Sequence, residues 1–272
     1  MRRRYFFGCA SITALQLAAG AWAARRSDLA VNLREQMKNQ VAELNFRFGS
    51  VDWSLVKIPA GQFTMGTPLN EPGRESWELT PRTVRITRTF YLAKYEASNA
   101  QYRVIMGPQP HSKAGDESLS YDQARYRDAL EFCTKLSKHL GVETTLPTEA
   151  QWEYACRAGT PTPYYTGSTA EDLQRAAWYV DNAGKTVHRG GEKAPNNWGL
   201  CDMLGNAAEP CRDYILSPDK LTEDDPVGRV APEYGCVRGG SWMDTALHCR
   251  AGYRLRTRDN LAGLGIRFAI NP

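Results

Sequence analysis

Leu146-Pro147-Thr148-Glu149-Ala150-Gln151-Trp152-Glu153-Tyr154-Ala155-Cys156-Arg157 carries both a helix start and a buried helix face. Thr148 and Gln151 stand at capping-box spacing. The hydroxyl can accept from the amide three residues on, while the glutamine side chain reaches back to the cap. The helix that follows turns Trp152, Ala155 and Cys156 inward and stops at Gly159. Ser98-Asn99-Ala100-Gln101 repeats the device and predicts a helix from Asn99 to Met106, stopped by Gly107-Pro108. Between the two, Ala129, Phe132, Cys133, Leu136 and Leu140 share one face of a helix expected from about Asp122 to Leu140, ended by Gly141.

Upstream, Val56 to Gly66 alternates apolar and polar residues around Pro59-Ala60-Gly61, the pattern of a short hairpin. Val84–Thr87 and Phe90–Leu92 read as further strands. Beyond Gly159, glycine and proline punctuate the chain so densely that every element must be short. A few helices against irregular β-structure make an α+β protein. With 42% hydrophobic and 24% charged residues, neither a disordered acidic tail nor a membrane bundle fits. The formal charge of +4 rests largely on Arg2, Arg3 and Arg4, so the remainder is near neutral and has no electrostatic reason to hold nucleic acid.

Those three arginines open a leader. An uncharged stretch runs from Tyr5 to Ala23, and Ala21-Trp22-Ala23 offers small residues where a signal peptidase reads. Residues 1–23 are therefore expected to be an export signal, with Arg3-Arg4 resembling a twin-arginine start. The mature protein is expected to be periplasmic or secreted, with no stable membrane span after cleavage. Residues 24–50 read as an N-terminal arm with a short helix over Leu33–Leu44, and residues 51–272 as one domain. After the leader six cysteines remain: Cys133, Cys156, Cys201, Cys211, Cys236 and Cys249. An even number in an oxidising compartment points to disulfides, and a pair among Cys201, Cys211 and Cys236 is the plain expectation.

Several strings resemble the formylglycine-generating enzyme (sulfatase-modifying factor) family. They are Ile58–Gly66, Tyr95–Tyr102, Leu146–Arg157, Gly199–Asn206, Arg238-Gly239-Gly240-Ser241-Trp242, Cys249-Arg250 and Gly265-Ile266-Arg267, in order from about Val56 to Ala269. The resemblance implies a C-type-lectin-like fold with little regular secondary structure. It implies calcium, in a structural role, on Asp202-Met203-Leu204-Gly205-Asn206-Ala207-Ala208-Glu209, with ligands from Asp202, Glu209 and the carbonyls of Gly205 and Ala207. It also implies a disulfide between Cys156 and Cys249, and leaves Cys133 as a buried free thiol because Phe268 stands where its partner would be.

Departures from the family bear on function. Aerobic members hold Cu(I) between two thiolates shortly after the Gly-Gly-Ser block, and here that stretch contains Cys249 alone. Counted from Ser241, Cys249 stands at the second copper ligand with Asp244 near the first. Counted from Gly265, it stands at the structural cysteine paired with Cys156, which preserves the spacing better. Either way a thiolate is missing, so copper and ordinary formylglycine generation are not expected. His111, His139, His188 and His248 lack the iron-binding spacing of sulfoxide-forming relatives. Ala208-Glu209-Pro210 replaces the usual Trp-Glu-Trp, which is expected to reshape the nearby cleft. Two roles remain. One is an oxidoreductase-like activity, such as maturation of a siderophore chromophore or peptide, with Glu209, Asp244 and His248 as acid/base groups. The other is a non-catalytic module binding a small molecule, peptide or protein at the C-terminal cleft, through Trp242, Arg250, Tyr253 and Arg254.

Overall fold

The computed structural model describes residues 27–108, 116–214, 222–228 and 235–272. The expected export signal lies outside the described residues, and among these no helix is long and apolar enough to cross a membrane.

The described residues form ten short strands and five α-helices. Helix α1 covers 27–38 and strand β1 runs Glu43–Phe48. Strands β2 (Val51–Ile58), β3 (Gly61–Met65), β4 (Arg82–Ile86) and β5 (Phe90–Ala93) follow, then helix α2 (Asn99–Met106). Helix α3 is Tyr126–Leu140, β6 Thr144–Thr145, α4 Glu149–Arg157 and α5 Ala170–Ala176. The C-terminal part holds β7 (Glu209–Tyr214), β8 (Gly235–Arg238), β9 (Leu255–Thr257) and β10 (Ala269–Ile270). Five strands form an antiparallel sheet in the order β1-β2-β5-β10-β6, while β3-β4 and β7-β8-β9 form two smaller ones. Helices α1 to α3 pack on the larger sheet around Leu33, Leu44, Trp53, Phe132 and Phe268, and a second core gathers Ile58, Val84, Phe90, Trp152, Tyr179 and Leu204.

Both capping boxes form. The Gln101 amide donates to Ser98 Oγ at 3.2 Å and Ser98 N–H to Gln101 Oε1 at 2.9 Å, and the Thr148–Gln151 box repeats this at 3.1 and 2.9 Å. Helix α3 begins at Tyr126, four residues later than expected. Gln123 and Arg125 instead bridge to Leu264 and Asn260, so tertiary pairing holds this segment extended. The expected hairpin over residues 56–66 does not form: β2 pairs with β1 and β5, and β3 pairs with β4. Nor is the segment before Val51 a free arm. Leu33 and Leu44 are fully buried, and β1 pairs with β2 along its length, Leu44 opposite Leu55 and Phe46 opposite Trp53. The charged residues there occupy the outer face of an amphipathic helix and an edge strand.

Helix α4 is tied down by charge. Its first amide, that of Glu149, donates to Asp213 Oδ2 at 2.7 Å, and Asp213 Oδ1 accepts from Gly228 N–H. Burial pushes the Asp213 carboxyl up to about 7, helped by Glu149 and resisted by those amide donors. A raised folded-state pKa contributes stability below the unfolded value, lost as pH rises through the folded one. Thermal melts between pH 4 and 7 should therefore show a falling contribution from Asp213 that Asp213→Asn removes. An unchanged slope in the variant would contradict this.

Candidate functional site

Gly239 and Gly240 both adopt positive φ, 90° and 69°. A Cβ on Gly240 would lie 2.8 Å from the His248 carbonyl oxygen and 2.9 Å from Cys249 Sγ, so only glycine lets the chain pass. The turn delivers Ser241 inward and Trp242 outward. Asp244 fixes it by accepting from Ser241 N–H at 2.8 Å and from Ser241 Oγ–H at 2.7 Å. Trp242 then donates its indole N–H to Asp122 Oδ2 at 2.9 Å across an open cleft of about 450 Å³. Met243, Arg125, Asn260 and Leu261 line the same cleft. Burial raises the Asp122 carboxyl, and the Trp242 bond partly offsets this. Sequence reading missed Asp122 because it assigned the residue to the start of α3. The break in helical pattern before Tyr126 is the signal that was available.

The expected acid/base residues do not converge. Asp244 and His248 do meet, with Oδ1 and Nδ1 3.7 Å apart at a half-exposed surface, and the imidazole stacks on Tyr253. Glu209 is elsewhere and fully engaged. Its carboxylate accepts from Arg267 Nε at 2.8 Å and from Trp152 Nε1 at 2.6 Å. It is a core ion pair, not a proton carrier facing a ligand.

Three of the four expected ligand-binding residues are also corrected, for the same reason. Arg250 is 1% exposed and bonds Glu71, Glu78 and the carbonyls of Gly73 and Leu247. Arg254 is buried against Glu149, with Nε at 2.8 Å. Tyr253 is buried too, and its carbonyl accepts from Arg238. These arginines satisfy carboxylates far away in sequence. Of the four, Trp242 alone lines the cleft.

The turn from Asp202 to Glu209 has the chemistry of a hard-cation site. Asp202 and Asn206 hold left-handed backbone at φ 56° and 57°, and a side chain on Gly205 would collide with the Trp178 carbonyl. Glu96 anchors the turn from outside by accepting from the Ala207 N–H at 2.8 Å and from the Asn206 side-chain amide at 2.5 Å. Three buried carboxylates, Glu96, Asp202 and Glu209, thus face one guanidinium, that of Arg267. Asp202 Oδ2 accepts from Gly191 N–H, but Oδ1 is buried with no partner. The excess negative charge and the orphaned oxygen fit a divalent cation. Among the described residues no group of three or more His, Cys, Asp or Glu side chains is arranged for a metal, so carbonyls must complete the set. Calcium accepts such a composition.

Copper does not fit. Cys249 is the one thiol between Gly239 and Arg250, it is fully buried, and Asp244 directs Oδ2 to Ser241. Cys156 and Cys249, the expected disulfide pair, stand as buried free thiols in this structure, as do Cys133, Cys201, Cys211 and Cys236. Both lie in the same buried core, Cys249 beside Gly240 and Cys156 on the inner face of α4. Ala208 is buried in a small cluster with Val237 and Leu264.

Comparison with known proteins bears on the fold and the family. Formylglycine-generating enzyme from Bos taurus is 26% identical over 267 aligned positions, spanning 74% of this chain and 68% of that protein. Treponema denticola variable protein 1 superposes with a TM-score of 0.77 at 24% identity, over 85% of this chain and 100% of that one. PvdO from Pseudomonas aeruginosa superposes with a TM-score of 0.74 at 23% identity, over 84% and 98%. Residues 50–272 match the sulfatase-modifying factor enzyme 1-like domain, and the chain belongs to that family.

Proposed function

We propose that this chain is an exported, calcium-stabilised member of the family that binds a ligand at the Trp242 cleft and does not generate formylglycine. The observation that carries this reading is the Ser241–Cys249 stretch. Where the chemistry needs a thiolate pair, there is one buried thiol and a carboxylate occupied in holding a turn. The cleft beside it combines an indole, a methionine and a partly desolvated carboxylate, a mixture suited to a peptide or glycan that presents both apolar surface and donors. Likeness to a formylglycine-generating enzyme and to a variable protein alike does not choose between roles.

Copper-loaded protein given a Cys-x-Pro-x-Arg peptide should form no aldehyde. Peptide and glycan arrays should retain ligands that Trp242→Ala binds roughly thirty-fold more weakly. Aldehyde formation, or binding indifferent to Trp242, would overturn the reading. The oxidoreductase alternative draws on Asp122, a carboxyl with a raised pKa inside the cleft, and on the Asp244–His248 pair. Turnover of a siderophore-type chromophore precursor, abolished by Asp122→Asn, would favour it.

Calcium would be held by Asp202 through its unpartnered Oδ1 and by the carbonyls of Gly205 and Ala207, with Glu209 adding negative charge from its pair with Arg267, and would supply the positive charge that the buried carboxylates lack. Removing it with EDTA should lower the melting temperature by several degrees, as expected for a ligand bound only by the folded state. A melt unmoved by EDTA and by added calcium would remove this part of the proposal.

A further inference from the structure

Strands β7 and β8 pair with Glu209 opposite Arg238 and Pro210 opposite Val237. Continued one step, that register sets Cys211 facing Cys236. The register shifts between Pro210 and Tyr214, and at this shift the two thiols still meet, hydrogen-bonded to each other. Facing residues of an antiparallel pair have Cα atoms roughly 4.5–5.5 Å apart, inside the span a disulfide bridges. Both side chains are fully buried, and neither has a part in the cleft or the cation turn. The Tyr126 hydroxyl donates to the Cys211 carbonyl at 2.6 Å, which holds the backbone of β7 at that residue.

We propose that Cys211 and Cys236 are a disulfide-forming pair, closed by a thiol–disulfide oxidant as the strands come together. The Cys236 thiolate attacks one sulfur of the oxidant's disulfide. That bond breaks and the leaving sulfur takes up a proton. The Cys211 thiolate then attacks the Cys236 sulfur of the mixed disulfide, forms the Cys211–Cys236 bond and expels the oxidant's remaining half, which leaves as a thiol. The protein gives up two electrons and two protons, and the oxidant gains both. Exchange belongs to the folding chain, because burial in the finished fold disfavours both thiolates and excludes the oxidant. Once closed, the bond is shielded from reductants by the same burial. It would clamp the strand that begins at Glu209 and so the exit of the cation turn.

The test refolds the full chain in a glutathione redox buffer and maps it by mass spectrometry without reduction. The expected product links the Cys211 and Cys236 peptides, with a mass lower by two hydrogens. Closing a loop of roughly 25 residues should raise the melting temperature by about 6–12 °C over phosphine-reduced protein. Cys211→Ala and Cys236→Ala should each lose that reductant-sensitive increment, and Cys133→Ala should keep it. Mapping of the unmutated chain decides the matter even if a variant fails to fold. Free alkylation of both thiols after oxidative refolding, or a bond found only between Cys156 and Cys249, would overturn the proposal.

Discussion

Glu153→Gln should lower unfolding free energy by about 3–5 kcal/mol, one of the two largest single-residue effects expected in this protein. Glu153 is 0% exposed and sits on the inner face of α4. It accepts from Gly66 N–H at 2.9 Å and from Arg157 Nε at 2.8 Å, and it pairs with Arg238. Removing its charge strands two buried guanidiniums, one carried by α4 itself and the other by β8. Burial alone would push this carboxyl up, but Arg157 and Arg238 together pull it below its ordinary value. A lowered folded-state pKa contributes stability above the unfolded value, lost as pH falls, so the deficit of the variant should be largest near neutrality and shrink below about pH 4.5. Urea denaturation measures it as a shift in midpoint at unchanged slope. Glu131→Gln, which breaks a solvent-exposed pair with Lys135, is the control and should cost under about 1 kcal/mol. Equal losses in the two variants would refute the network account.

Arg267→Met should be as severe, with the opposite dependence on pH. The guanidinium is fully buried and bonds Glu209, the Ala93 carbonyl at 2.7 Å and the Cys201 carbonyl at 2.8 Å. Without it, Glu96, Asp202 and Glu209 face each other with no positive charge, at a cost again of about 3–5 kcal/mol. Burial already holds the Asp202 carboxyl up at about 6, and loss of Arg267 moves it further in the same direction. Carboxyls with raised pKa stabilise the fold at low pH and lose that contribution as pH rises. In EDTA, the deficit of Arg267→Met should therefore grow from pH 5 to pH 8. A deficit that stays flat with pH would assign the role of Arg267 to packing.

These networks explain what could be read from the chain beforehand. Local signals were legible because local physics decides them: the Ser98–Gln101 and Thr148–Gln151 boxes form as their spacing demands, and Gly141 caps α3 at φ 69°. Non-local pairing was not. The alternation around Pro59-Ala60-Gly61 is compatible with a hairpin, and nothing nearby reveals that β2 is claimed by β1 and β5. Family likeness carried the fold over most of the chain but misled on the C-terminal arginines. A cluster of Arg and Tyr in sequence looks like a binding surface, and only the positions of Glu71, Glu78 and Glu149 show that Arg250 and Arg254 are turned inward. Asp122 was invisible for the converse reason, since its meaning comes from an indole 120 residues away.

In the five-stranded sheet β10 joins β5 to the edge strand β6 through Ala269, which stands opposite both Leu92 and Thr145. Those partners lie far back along the chain, so while β1 and β2 pair as neighbours, this end of the sheet is assembled by long loop closures. Such wiring slows folding, because the entropy of closure must be met before any contact rewards it. Until that keystone arrives, β5 and β6 present open edges to the cell, and the nascent protein is a natural client for chaperones that shield unpaired strands.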